Sequence, residues 1–193
     1  MLVAALLPVA LFFVPMWFIK LSAPQYPDPL GMEIWITKIA DMKPGDLQNI
    51  NLMNHYVGMK EIPEKIEEFA YFPWIVGFMV LLGVILAFLG KRVGYLTWFW
   101  LFVLLGIAGM YDFYLWEYDY GHSLNPKAAI KFIDETGALI TYQPPLIGTQ
   151  TILNFQATSL PHTGAFFLLG GIILSGVAYY VGRLEAGLKF PKI

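Results

Sequence analysis

Long apolar runs alternate with long polar connections along this chain. Four runs, roughly 2–19, 72–89, 93–114 and 164–181, are long enough to cross a hydrocarbon core of about 30 Å. Between them lie two connections, about 21–71 and 115–163, that exceed ordinary turns. The pattern predicts an all-α membrane protein of four transmembrane helices. An extracytoplasmic cap of short helices and a β-hairpin is expected above them, with residues 1–193 forming one membrane domain. The first run lacks the basic start of a secretory signal. Trp17, Phe18, Ile19 and Lys20 are also bulky beside the small Ser22-Ala23 pair. It therefore reads as a retained span.

Inside the connections the pattern is more local. Asp28-Pro29 resembles an N-cap followed by proline at the first helical position. That predicts a helix with Ile34, Trp35 and Ile39 on one face, stopped by Lys43-Pro44-Gly45. Asp46 is placed to cap a second helix reaching Tyr56, with Gly58 just beyond it free to take positive φ. Pro63 predicts a third, amphipathic helix on the membrane surface, with Ile62, Ile66 and Phe69 facing one way. Tyr111, Phe113, Tyr114, Trp116, Tyr118 and Tyr120 mark where the third span leaves the bilayer, because aromatic rings favour the interface. Ile130–Ile133 and Leu139–Tyr142 flank Asp134-Glu135-Thr136-Gly137 and predict a hairpin. Residues 147–155 then return along the surface to the last span, whose Gly164, Gly170, Gly171, Ser175 and Gly176 give it a face suited to close packing.

Composition supports the membrane reading, since the chain is 58% hydrophobic and only 13% charged, far from an ordinary soluble domain. The net charge of −2 hides an asymmetry. Lys91 and Arg92 sit between the second and third spans, and Arg183, Lys189 and Lys192 follow the fourth. The first connection holds eight acids against four lysines. Positive-inside reasoning then predicts a multi-pass protein of a cytoplasmic membrane, with both termini cytoplasmic and both connections outside. Membrane lipid and a protein partner in the membrane or periplasm are expected. Nucleic acid is not, because no basic stripe exists to neutralise phosphates.

The candidate chemistry is sparse. With no cysteine, disulfides, thiolate metal sites and cysteine nucleophiles are excluded. No phosphate-binding loop, dinucleotide fingerprint, zinc-protease motif or serine triad order appears, so no catalytic constellation is legible. Histidines are absent from the span interiors, which excludes a bis-histidine haem. The three that exist fall in or beside the connections. His55 lies in Met53-Asn54-His55-Tyr56-Val57-Gly58-Met59, and His55 and Met59 would share a face on a helix. His122 follows Glu117 and Asp119, close enough for one helical turn to join carboxylate and imidazole. His162, after Pro161, marks the interface. Thioether, imidazole and carboxylate on one face suit copper. The predicted metal ligands are His55, Met59 and His122, assisted by Asp119, Met53 and Glu117. A shared site requires the two imidazoles to come within roughly 3–4.5 Å of each other, given metal bonds near 2 Å. The plainer reading is a surface histidine with methionines packed beneath it.

Four segments carry a resemblance: Leu21-Ser22-Ala23-Pro24-Gln25-Tyr26-Pro27, residues 52–60, Trp116-Glu117-Tyr118-Asp119-Tyr120-Gly121-His122, and Tyr142-Gln143-Pro144-Pro145-Leu146-Ile147-Gly148. They resemble a family of small integral membrane proteins associated with nitrous-oxide-reductase gene clusters of Bacteroidetes-type bacteria. The resemblance implies a copper-binding accessory protein that handles or supplies copper on the extracytoplasmic face for a copper enzyme. His55, Met59 and His122 would then face the metal. Two other functions fit the residues: a metal-free structural subunit of a larger membrane respiratory complex, and a subunit of a copper-dependent membrane enzyme.

Overall fold

The computed structural model describes residues 1–189, apart from 64, 132, 134–136, 138, 139 and 153. Three of its helices are long and apolar enough to cross a bilayer: α3 (Glu68–Leu89), α4 (Arg92–His122) and α5 (Thr163–Lys189). They carry a belt of exposed large apolar side chains, with Trp74 and Phe88 each 80% exposed and Phe78, Ile107, Phe166 and Ile173 all above 60%. A belt of that kind is stable only against an apolar surrounding, and we read these helices as membrane spans.

The expectation of four spans and an all-α fold is overturned. The first apolar run divides into α1 (Leu2–Leu6), a 3-10 turn (Leu7–Phe12) and strand β1 (Trp17–Ser22). Pro8 cannot donate to an α-helical ladder and Pro15 ends the helical part, so the hydropathy of the run overrides neither proline. Beyond Pro15 the residues alternate: Trp17 and Ile19 are buried, Lys20 exposed, the period of a strand. α1 and its 3-10 continuation lie against α3 and α5. There Ala5 packs with Met79, Trp98 and Phe102, and Leu11 and Pro15 approach Gly164 closely.

β1 is the middle of a five-stranded antiparallel sheet in the order β3-β2-β1-β5-β4, adding β2 (Leu30–Ile34), β3 (Ile39–Asp41), β4 (Gly148–Ile152) and β5 (Phe155–Pro161). Trp17, Ile19 and Leu21 face Ile34, Met32 and Leu30 across one ladder, and Pro161, Ser159 and Ala157 across the other. Both long connections thus merge into one cap. Asp28-Pro29 precedes a strand rather than a helix, and in place of a surface return Gly148–Ile152 pairs as a strand with Phe155–Pro161. Of the hairpin expected over 130–142, residues 132, 134–136, 138 and 139 lie outside the described residues. No regular helix follows Pro63 up to Glu67 among the described residues.

The helix expected from Asp46 exists as α2 (Asp46–Val57), with Gly58 in the left-handed region at φ 81°. Its cap differs from expectation. Gly45 occupies the capping position, and the Leu47 N–H donates to the Asp41 carboxylate at 2.6 Å. Asp46 is buried instead, accepting from the Gly31 and Lys43 N–H groups at 2.9 and 3.1 Å, which fastens α2 onto β2.

α4 spans 31 residues, about 46 Å at 1.5 Å per residue against a core of about 30 Å. Its last turns therefore leave the bilayer and enter the cap. Phe113 meets Trp17 edge-on at 5.9 Å, and Tyr120 lies in the same core cluster as Ile19, Met32 and Ile50. Gly121 lets the chain at 142–143 cross the helix end, since a Cβ there would sit 2.5 Å from the Gln143 backbone. The Gly121→Ala variant is expected to lose about 1–3 kcal/mol of stability from that overlap. Gly106→Ala, where nothing lies within 4 Å, should lose none. Thermal unfolding of both in detergent checks this; a Gly121→Ala midpoint equal to the parent's would contradict the docking.

Candidate functional site

Where α2 and the end of α4 meet the inner face of the sheet, they enclose a cavity of about 240 Å³. Its walls are mostly Ile, Val, Leu and aromatic side chains with Gln25, Asn54 and Asn154 among them, and three methionines line it: Met32 from β2, Met53 from α2 and Met59 just after α2. The segment after α2 is held by three hydrogen bonds. The Asn54 amide donates to the Lys60 carbonyl at 3.2 Å, the Ile62 N–H donates to the Asn51 side chain at 2.8 Å, and the Tyr120 hydroxyl donates to the Glu61 carbonyl at 2.6 Å. These pin the Met59 backbone between the two helices.

Glu117 is the chemically distinctive wall residue. It shares a helical face with Phe113 and Tyr120, four and three residues away, and that face points into the cap. Glu117 is 0% exposed, and neither carboxyl oxygen has a hydrogen-bond partner among the described residues. No other charged side chain lines the cavity among the described residues. Burial therefore raises its pKa to about 8, because loss of hydration disfavours the charged form. The same burial lifts Tyr120, and the neighbouring Asp119 charge adds to it.

The predicted ligands separate into two groups. Met53, Met59 and Glu117 line the one cavity. His55, His122 and Asp119 do not: all three are exposed. His55 lies edge-on to Tyr56 at 6.2 Å. His122 stacks on Tyr118 at 4.0 Å, and its Nδ1–H donates to the Tyr118 carbonyl at 2.9 Å. The Asp119 carboxylate is engaged by Lys60 at 2.6 Å and Ser123 at 2.7 Å, and hydrogen bonds from both lower its pKa. No group of three or more His, Asp or Glu side chains arranged to hold a metal occurs among the described residues. His162 accepts the Thr163 N–H at its Nδ1 and packs on Phe18 at the start of α5. Met32, Trp116, Tyr120 and Tyr142 complete the cavity without having been singled out as its walls. For Met32 the signal was the alternation Leu30, Met32, Ile34.

Glu117 gives a pH dependence whose sign follows from its raised pKa. Below the ordinary glutamate range the group is protonated in both folded and unfolded chains. Between that range and about 8 only the folded chain keeps the proton, so stability falls as pH rises, with a limiting slope of about 1.4 kcal/mol per pH unit. Above pH 8 the loss is complete. The Glu117→Gln variant should flatten this decline and exceed the parent in stability at pH 9. Tryptophan-monitored thermal unfolding from pH 5 to 9 measures it, and parallel curves for the two proteins would refute it.

No family model matches this chain, and neither a curated protein nor a solved structure matches it, so the site is defined by its own side chains.

Proposed function

We propose that this chain is a multi-pass inner-membrane protein whose cap faces the extracytoplasmic side, with both termini cytoplasmic: besides the three long helices, α1 and its 3-10 continuation carry the chain from Met1, beside Lys91 and Arg92, up to β1 in the cap. Its cavity binds copper(I), and the protein serves as an accessory that holds copper for delivery to a copper enzyme. The Lys91-Arg92 turn at the far end of the bundle supports that orientation by the positive-inside rule. One observation carries the binding: a fully buried carboxyl with no hydrogen-bond partner among the described residues lines the same cavity as three thioethers. A buried acid is stable either with its proton or against a cation. Thioethers are soft donors that select copper(I) over hard cations. Entry of one monovalent ion as Glu117 releases one proton keeps the cavity neutral. The ligand set is therefore Met32, Met53, Met59 and Glu117, with the acidic cap surface gathering cations from solution. The resemblance to proteins of copper-enzyme gene clusters points the same way.

The cavity volume favours one other reading. About 240 Å³ exceeds what an ion needs and suits a small apolar molecule whose carbonyl would accept the Glu117 proton.

Anaerobic competition between the detergent-solubilised protein and a chromophoric copper(I) chelator separates these readings. The parent is expected to bind one equivalent. Met53→Leu with Met59→Leu, a swap that preserves volume, and Glu117→Gln should each weaken binding by at least about tenfold, as loss of a ligand or its supporting group does. His55→Ala with His122→Ala should leave affinity within about twofold. Absence of copper binding by the parent, or parent-like affinity in the double methionine variant, would overturn the proposal and favour the apolar ligand or a metal-free subunit.

A further inference from the structure

The end of the bundle away from the cap holds a second concavity. There α1, α4 and α5 diverge and leave a crevice of about 810 Å³, in the size range of small-molecule sites, ~300–1,000 Å³. Val3 of α1, Val93 of α4, and Val177 and Val181 of α5 form its apolar walls. Lys91 and Arg92 lie at its rim, where the α3–α4 turn brings the chain back. Both are exposed, and neither makes an ion pair among the described residues. Glu185 is the single acid on the lining among the described residues, so the rim they form carries a net positive charge.

The height of the crevice decides what can enter it. Phe88, Leu89 and Val93, exposed on either side of Lys91 and Arg92, place the two cations at the boundary between hydrocarbon and water. Below them the walls are apolar. A dissolved solute would meet the cations and then an apolar slot for which it has no complement. A molecule with an anionic head and an apolar tail satisfies both parts at once.

From this juxtaposition we infer that the crevice between α1, α4 and α5 binds one anionic phospholipid. Its phosphate pairs with Lys91 and Arg92, and an acyl chain lies along Val93, Val177 and Val181. Basic pockets between membrane helices recognise anionic head groups in this manner. The inference requires only that the three long helices span a bilayer, and it stands or falls independently of metal binding in the cap.

Native mass spectrometry of the delipidated full chain in a neutral detergent tests it. Phosphatidylglycerol and phosphatidylcholine with identical acyl chains are supplied at equal concentration. The first bound lipid is expected to favour phosphatidylglycerol by about fivefold, the scale set by two interfacial cations less one acid. Lys91→Gln with Arg92→Gln should reduce the ratio to about one. Ala178→Trp, which leaves both charges in place and fills the crevice that Ala178 lines, should do the same while retaining the parent's helical content. Glycerol phosphate at millimolar concentration should not compete. Equal binding of the two lipids by the parent overturns the inference, as does a preference that survives the double charge variant. A parent-like preference in Ala178→Trp would show ordinary surface attraction without the crevice, and competition by glycerol phosphate would show a site for free phosphate. Either result also overturns it.

Discussion

The cap depends on the pairing of β1 with two partners at once. Trp17–Ser22 lies between β2 and β5, so the backbone groups of a very apolar segment are satisfied on both sides. Trp17 adds a buried hydrogen bond, its indole N–H donating to the Ser159 hydroxyl at 2.8 Å. Without β1 the remaining strands would be two separate hairpins, each with a bare edge, and neither is stable alone. The inner face of this sheet is also the floor of the cavity, since Ile19, Met32 and Ala157 belong to three adjacent strands. The position of Met32 relative to α2 and α4 is thus fixed by strand register.

The outer face and inner face of the last turns of α4 hold acids in opposite states. Glu117 points inward and is raised to about 8 by burial. Asp119, two residues on, points outward and is held ionised by Lys60 and Ser123. The exposed Lys60–Asp119 pair adds little stability by itself. Its effect is positional, because Lys60 follows Met59 directly and the bond ties that segment to the helix.

Much of this was legible in the sequence and some was not. The three long helices follow from uninterrupted hydropathy, and α2 with its Gly58 terminus from cap chemistry. The first apolar run was misleading because hydropathy averages over Pro8 and Pro15 and cannot distinguish a span from a helix followed by a buried strand. Alternation at 17–20 and 30–34 marks strands locally, but nothing local announces how the sheet is assembled, since Trp17 and Ser159 are 142 residues apart. In the site, Met53, Met59 and Glu117 were recognisable by residue type. The histidines carry the same residue-type signal, yet residue type says nothing of helical phase. Phase places Glu117 with Phe113 and Tyr120 toward the cap, and His122 with Tyr118 toward solvent. Met32 was hidden by the expectation of a helix where β2 runs.

The separation of β1 from β5 has a consequence for biogenesis. During synthesis Trp17–Ser22 emerges early, and β2 soon offers it one neighbour. Its other neighbour, Phe155–Pro161, is made only after α3 and α4 have been threaded through the translocation machinery. Until then an apolar strand stands with an open edge at the membrane surface, where nascent chains are prone to mispair. Closure of the cap is therefore a late, long-range event, slow by the usual relation between sequence separation and folding rate. The cavity comes into existence only at that moment, because its floor includes Ala157 of β5 beside Ile19 and Met32.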